Sequence, residues 1–202
     1  MKKLKSSLTN MVLVLTIISI VAACALAAVN SATKQQIENI KAENLAKSIK
    51  KVLKVSESEP LEVTDSEVTD ADNNVFVLHT TDKGVAIEST QNGFGGPLKV
   101  LVGFDSEGNI LGYSILETSE TPGLGIKAAE WFQEGSKGCI VGKNPATTRM
   151  GVTKGGEGDI DAITASTITS RAFLKAVQAA YDQTFGNNTD GTTSASQKGG
   201  NK

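Results

Sequence analysis

The sequence predicts an α+β protein, in which one N-terminal membrane helix is followed by an antiparallel sheet flanked by helices. Three observations favour this class. An apolar run without charges lies near the N-terminus, strand-like segments come in pairs joined by short turns, and helix-like segments precede and follow them. Strands grouped in this way build an antiparallel sheet, whereas alternating strands and helices build a parallel one. At 202 residues, the chain is long enough for one sizeable domain beside the membrane helix.

The apolar run extends from Leu8 to Val29 and contains no charged residue. A helix of about 20 apolar residues crosses the hydrocarbon core of a bilayer. Lys2, Lys3 and Lys5 precede the run, and positive charges beside a membrane helix mark its cytoplasmic side. We therefore expect the chain to cross the cell membrane, which is the inner membrane where there are two, once. Its N-terminus would lie in the cytoplasm, and the residues after the run would lie outside the cytoplasm.

Two alternatives compete with an uncleaved anchor. One is a cleaved signal peptide, and the other is a lipoprotein signal in which VAAC presents Cys24 for acylation. The apolar stretch continues beyond Cys24 as ALAAV, so the run is longer than an ordinary signal sequence. This length favours the anchor, and we assign residues 1–30 to the cytoplasmic N-terminus and the transmembrane segment.

An amphipathic helix is predicted next, from Thr33 to about Val55. Its apolar residues recur every few positions among many charged ones, at Ile37, Ile40, Leu45, Ile49 and Leu53. This spacing is typical of a helix with one apolar face. Residues 31–60 are therefore predicted to connect the anchor to the following domain.

Two hairpins are predicted after a polar segment. Val75–Thr80 and Gly84–Ser89 are joined by TDKG, and Leu98–Phe104 and Ile110–Leu116 are joined around DSEGN. Beyond them, LGIKAAEWFQEG predicts a short helix.

A longer helix is predicted from Ser166 to Phe185. The apolar residues on or near one of its faces are Ile168, Phe173, Leu174, Val177 and Tyr181. The residues after it contain too few apolar groups to form a core. The folded domain is thus placed at residues 61–186, and a disordered polar tail at residues 187–202.

Composition excludes several classes of function. The net charge is -2 although three lysines precede the apolar run, so the remainder is acidic, which excludes nucleic acid as a partner. One histidine and two cysteines cannot form an ordinary zinc site or a disulfide framework. No GxSxG motif occurs, and His79 lies in a strand-like segment where a structural role is expected. The sequence therefore offers no catalytic residue and no metal site.

Two glycine-rich segments are candidates for contact with a flat ligand. GFGGPL, from Gly93 to Leu98, precedes a strand, whereas a dinucleotide fingerprint follows one, so it predicts a tight turn or a close backbone approach. In ETPGLG, from Glu120 to Gly125, Pro122 restricts φ and the glycines permit conformations closed to other residues. Such a loop brings bare backbone against a planar ligand, or it is an ordinary turn. Both interpretations stay open on turn chemistry alone.

Hydroxyl groups crowd the segment DIDAITASTITS, from Asp159 to Ser170. They belong to Thr164, Ser166, Thr167, Thr169 and Ser170. One or two hydroxyls suffice to cap a helix by accepting its free N–H groups. The excess indicates a bound anion or a covalent modification, because the first turn of a helix also attracts phosphate.

These segments together resemble a known family. DAITASTITS is similar to the flavinylation motif of FMN-binding domains, in which an aspartate precedes a segment like S/T-G-A-T-x-T-S. With GFGGPLKVLVGFDSEGNILGYSILETSETPGLG, the chain resembles the G subunit of Rnf ion-translocating electron-transport complexes, a covalent FMN-binding family. That family is related to the C subunit of sodium-pumping NADH:quinone reductase. The similarity extends from the anchor to about Phe185.

The resemblance implies roles for individual residues. Thr169 takes the place of the threonine that carries FMN through its phosphate, and Asp161 that of the acidic residue recognised by the flavin transferase. Thr164 matches the first hydroxyl of the motif. Small residues depart from the pattern at Ala165, where glycine is usual, and at Ser166, where alanine is usual. The residues expected to contact the cofactor are Thr121, Gly123, Leu124, Ser166, Thr167 and Ser170.

The implied function is that of a membrane-anchored electron carrier. It would act as a redox subunit of an oxidoreductase that couples electron transfer between ferredoxin and NAD to Na⁺ or H⁺ transport, without independent substrate turnover. Its partners would be subunits of the A, B, C, D and E type and a flavin transferase of the ApbE type. Three alternatives stay open: the C subunit of sodium-pumping NADH:quinone reductase, a free-standing extracytoplasmic FMN carrier, and a cell-surface binding module without a cofactor.

Overall fold

A computed structural model describes residues 8–186. The three N-terminal lysines and the predicted tail at 187–202 lie outside the described residues. The chain divides into two compact units, with the boundary between Ala46 and Lys47. The described part of the first unit, residues 8–46, is helical, and the second unit contains the end of that helix, the sheet and the other helices.

Helix α1 runs from Leu8 to Val52 without interruption. No proline or glycine occurs in it, so no residue of these two helix-breaking types interrupts the backbone hydrogen bonds of the helix. It is the one helix among the described residues that is long and apolar enough to cross a membrane, with a window of mean hydropathy 2.9. The anchor and the connecting helix, predicted as two segments, thus form one continuous helix.

Five antiparallel strands form a meander in which each strand pairs with the next along the chain. They are β1 Thr64–Thr69, β2 Val75–Thr81, β3 Gly84–Asn92, β4 Pro97–Phe104 and β5 Ile110–Thr118. Both predicted hairpins are confirmed, and the pairing of Thr81 with Gly84 closes the first. The turn from Gly93 to Gly96 joins β3 to β4, where the Gly93 N–H donates to the Gly96 carbonyl at 2.8 Å.

Strand β1 differs from the sequence prediction, which assigned its residues to a polar segment. It lies at the edge of the sheet, pairs only with β2, and has five exposed residues out of six. A strand exposed on both faces has no alternation of apolar and polar residues, which is the usual sequence signal for a strand.

The main core lies between one face of the sheet and α3, Thr167–Thr184. The strands contribute Val85, Ile87, Leu98, Val100, Val102 and Phe104, and α3 contributes Phe173, Leu174, Ala176, Val177 and Ala180. The short helix α2, Ala128–Trp131, follows a 3-10 turn at Gly125–Lys127. The Tyr113 hydroxyl donates to the Ala128 carbonyl at 2.6 Å and thereby ties α2 to β5. The predicted α+β class with an antiparallel sheet flanked by helices is confirmed.

The opposite face of the sheet carries a chain of charged side chains centred on His79. His79 Nδ1 lies 2.6 Å from Asp65 Oδ1, and His79 Nε2 lies 3.3 Å from Glu88 Oε1. Lys99 Nζ lies 2.5 Å from the other oxygen of Glu88. Burial opposes the charge on His79, but hydrogen bonds that the ring donates to the Glu88 and Asp65 carboxylates outweigh it and raise the imidazole pKa. His79 is therefore part of an ion network that links four strands.

Candidate functional site

A cavity of about 390 Å³ lies where three segments meet: the β3–β4 turn, the loop after β5, and the start of α3. Its volume is within the range of small-molecule and cofactor sites. The lining residues are Phe94, Glu120, Thr121, Leu124, Gly125, Ala165, Ser166, Thr167, Ile168 and Thr169. The two glycine-rich segments and the hydroxyl cluster, which are far apart in the sequence, thus face one space.

The loop after β5 is fixed by Glu120. This carboxylate is only 5% exposed, and its Oε1 accepts the Phe94 N–H at 2.7 Å. A Cβ added at Gly125 would lie 2.5 Å from Oε2 of Glu120, and a Cβ at Gly93 would collide with Oε1. Glycine at both positions therefore lets the two loops close around one carboxylate.

The walls of the cavity include large apolar side chains that remain open to solvent. Phe94 is 70% exposed and Ile168 is 52% exposed, and Leu124 also lines the cavity as an exposed residue. Ile168 was predicted on or near the same helix face as Phe173 and Leu174, but it is exposed and lines the cavity, whereas they are buried in the core. A flat apolar ligand would cover this surface.

The start of α3 offers unpaired donors. Ser166 occupies the N-cap position, yet its side chain makes no capping hydrogen bond. The Ser166 hydroxyl therefore does not cap the helix. Within residues 8–186, the amide N–H groups of Thr167, Ile168 and Thr169 have no acceptor, and the Ser170 amide makes the first helical bond, to Ser166. Free N–H groups at the positive end of a helix form an anion site.

Thr169 and Ser170 have different environments. Thr169 lines the cavity although it is only 1% exposed, and within the described part of the chain its hydroxyl has no hydrogen-bond partner. The Ser170 hydroxyl donates to the Ser166 carbonyl at 2.9 Å and accepts the Ile163 N–H at 3.0 Å. Ser170 therefore fixes the backbone at the helix start and does not line the cavity.

Ala165 has a backbone conformation that glycine adopts more readily. Its φ is +63°, in the left-handed region that costs roughly 1–2 kcal/mol for a residue with a Cβ. Backbone strain of this kind is found at binding sites more often than elsewhere. The main chain here turns sharply into α3 and brings Ser166 and Thr167 to the cavity.

The remaining predicted residues lie beside the cavity. Thr121 lines it, whereas Gly123 lies in the same loop with φ +78° and is not part of the lining. Asp161 and Thr164 are exposed outside it. Sequence reasoning missed Phe94, Glu120, Gly125 and Ile168 as site residues, and the glycine motifs that contain the first three were the available signal.

Comparison with known proteins decides the family. A model of the FMN-binding domain family matches residues 93–182. The G subunit of the ion-translocating oxidoreductase complex of Methanosarcina acetivorans is 34% identical over 184 residues, which cover 87% of this chain and 93% of the relative. The G subunit of the Na⁺-translocating ferredoxin:NAD⁺ oxidoreductase complex of Acetobacterium woodii is 32% identical, covering 82% and 86%.

The chain belongs to the G-subunit family of Rnf-type ion-translocating oxidoreductase complexes. It contains the FMN-binding domain of that family, and the matched region includes every residue that lines the cavity. Among solved structures, the C subunit of the Na⁺-translocating NADH-quinone reductase from Parabacteroides distasonis has a TM-score of 0.46 and 18% identity, covering 72% of this chain and 90% of that chain. That likeness carries no inference about function.

The cavity of this G subunit fits FMN in its chemistry. One part is apolar and open, as a ring system requires, and another part offers free amide N–H groups for a phosphate. Hydroxyls of Ser166, Thr167 and Thr169 lie beside those donors. The domain therefore joins a surface for a ring with a site for an anion.

Proposed function

We propose that this chain is an electron-carrier subunit whose FMN is bound covalently through its phosphate to Thr169. The observation that supports it is the shared cavity, which Thr169 lines at a helix start with free N–H groups, its hydroxyl having no hydrogen-bond partner among the described residues. Within an Rnf-type complex, the subunit passes electrons between ferredoxin and NAD, coupled to Na⁺ or H⁺ transport. It is enzymatic only as part of that oxidoreductase, with no turnover of its own.

The residues of the cavity bind and orient the cofactor. Phe94, Leu124 and Ile168 offer the apolar surface for the isoalloxazine ring, and Thr121 lies in the same wall. The N–H groups at the start of α3 stabilise the phosphate by about 0.3–1 kcal/mol or more, through the helix dipole. FMN, when bound, supplies the redox chemistry, while the protein sets its position and its electrostatic surroundings.

Attachment is a transfer of the FMN moiety from FAD. The Thr169 Oγ1 forms a bond to the phosphorus of the FMN half, and the pyrophosphate bond of FAD breaks. AMP leaves, and the hydroxyl proton is lost to a base of the transferase. No electrons are gained or lost. A transferase of the ApbE type catalyses this step and recognises the exposed Asp161, eight residues before the acceptor.

The anchor places this carrier in the cell membrane beside its partners, the other subunits of the complex, of the A, B, C, D and E type. Helix α1 has the length and hydropathy for that role. We place the FMN domain outside the cytoplasm, where a covalent link retains a cofactor that dilution would otherwise remove.

The test is intact mass and in-gel flavin fluorescence of the full chain produced with a flavin transferase. Thr169→Val keeps the branched shape and deletes the oxygen, so covalent flavin is lost while the protein still folds. Thr167→Val is the matched control and at most reduces labelling. Flavin mapped to Ser166 or Thr167 in Thr169→Val would contradict the assignment of the acceptor. Unlabelled wild-type protein would contradict covalent binding itself.

A further inference from the structure

The Asp161 residue is held by hydrogen bonds to both its main chain and its side chain. The indole Nε1–H of Trp131 donates to the Asp161 carbonyl at 2.8 Å. The Thr153 hydroxyl donates to the Asp161 carboxylate at 2.9 Å. Asp161 itself is exposed, so these contacts fix a charged group that faces solvent.

Gly138 leaves the space that the indole contact needs. A Cβ at this position would lie 2.5 Å from Trp131 Nε1 and 2.8 Å from the Asp161 carbonyl. The backbone of Gly138 does not have a positive φ, so conformational freedom does not explain the glycine. Its small size does explain it, because any side chain would contact both partners of the hydrogen bond.

The main chain on both sides of Asp161 is also fixed. Ile160 is buried, and its N–H donates to the Gly151 carbonyl at 3.0 Å. Ile163 is buried too, and its N–H donates to the Ser170 hydroxyl in the first turn of α3. The Asp161 carboxylate therefore has a defined position relative to Thr169, although it lies on the surface.

These contacts contribute modestly to stability. Hydrogen bonds at an exposed site compete with water, and each contributes only about 0.5–1.5 kcal/mol. Their specific effect is to restrict one carboxylate, which lowers the conformational entropy lost when a partner binds that carboxylate.

We propose that Trp131, Gly138 and Thr153 are positioning residues for flavin attachment, which hold the Asp161 carboxylate where the flavin transferase binds it. This inference rests on the proposed function, because it requires transfer of FMN from FAD to the Thr169 hydroxyl with AMP as the leaving group. None of the three residues lines the cofactor cavity, so they act on attachment and not on the bound cofactor.

The experiment measures the initial rate of covalent labelling of the full chain, purified in detergent and incubated with FAD and an ApbE-type transferase. Thr153→Val removes the hydroxyl, and Thr153→Ser restores it. Trp131→Phe keeps a ring and removes the N–H donor. Thr147→Val is the matched control, because it deletes an exposed threonine hydrogen bond, to Asn144, away from Asp161. Thermal unfolding is recorded for every variant.

We expect Thr153→Val and Trp131→Phe to be labelled about three- to tenfold more slowly than wild type, the fold-change of one lost hydrogen bond. Thr153→Ser and Thr147→Val should be labelled at rates within about twofold of wild type. Asp161→Ala should show how far the labelling rate falls when the carboxylate itself is absent. Wild-type rates in Thr153→Val and Trp131→Phe would overturn this inference alone. Equal slowing in Thr147→Val would overturn it too, because the effect would then be structural. Absence of label on the wild type would refute the proposed function, and this inference with it.

Discussion

The Glu120 carboxylate accepts the Phe94 N–H at 2.7 Å and thereby joins the loop after β5 to the β3–β4 turn. Both loops line the cavity, and the carboxylate is almost completely buried between them. Glu120 is thus the residue that sets the distance between two walls of the proposed FMN site.

Replacing Glu120 should loosen these walls. Glu120→Ala leaves the Phe94 N–H without its acceptor, so we expect the free energy of unfolding to fall by about 1–3 kcal/mol. Glu120→Gln keeps an oxygen acceptor and should recover most of that loss. Urea unfolding measures both, with Glu130→Ala as an exposed acidic control. An equal effect of Glu120→Ala and Glu130→Ala would contradict the structural role of Glu120.

The protein should be more stable when glycine replaces Ala165. Its φ of +63° costs an L-residue roughly 1–2 kcal/mol, whereas glycine loses about 0.5–1 kcal/mol more backbone entropy on folding. Ala165→Gly should therefore raise the free energy of unfolding by up to about 1 kcal/mol, measured by urea denaturation. Ala146→Gly, at an exposed loop position without a positive φ, should lower it. Destabilisation by both substitutions would refute the strain at Ala165.

The His79 network should make stability depend on pH. The folded-state pKa of His79 is raised above its ordinary value of 6.5, so its contribution is complete below that pH and is lost as the pH rises through the folded value. Burial acts against ionised Glu88, but hydrogen bonds from His79 and Lys99 outweigh it and lower the pKa of Glu88 below 4.5. The contribution of Glu88 is therefore present above 4.5 and is lost as the pH falls through its folded value.

Both contributions are complete between these two ordinary values, and the stability advantage of wild type over His79→Gln should be greatest there. We expect this advantage to shrink as the pH rises above 6.5. Urea unfolding of both proteins across the pH range measures it. A difference that stays constant with pH would show that His79 contributes through packing and not through its charge.

The orientation of the anchor is testable with protease on intact spheroplasts. The prediction rests on Lys2, Lys3 and Lys5, which lie outside the described residues, and on the positive-inside tendency. Added protease should digest the sheet-containing domain without lysis, while a cytoplasmic control protein survives. Protection of the domain until the cells are lysed would reverse the orientation and refute the extracytoplasmic location.

Sequence periodicity and turn residues determined most of the secondary structure of this protein. The uncharged run from Leu8, the hairpin turns and the apolar spacing of α3 follow from local patterns, because strand and helix periods and turn residues act over a few neighbouring positions. The family resemblance also rests on short motifs, and five of the residues it named line one cavity: Thr121, Leu124, Ser166, Thr167 and Thr169.

Only the tertiary structure decided the rest. Strand β1 is a strand because β2 pairs with it, and Ile168 faces the cavity because its position on α3 lies beside the sheet's turn rather than over the core. The roles of Glu120, of Ser166 without a cap bond, and of Trp131 at Asp161 depend on contacts between residues far apart in the chain. Such contacts leave no local period in the sequence, because folding alone brings their partners together.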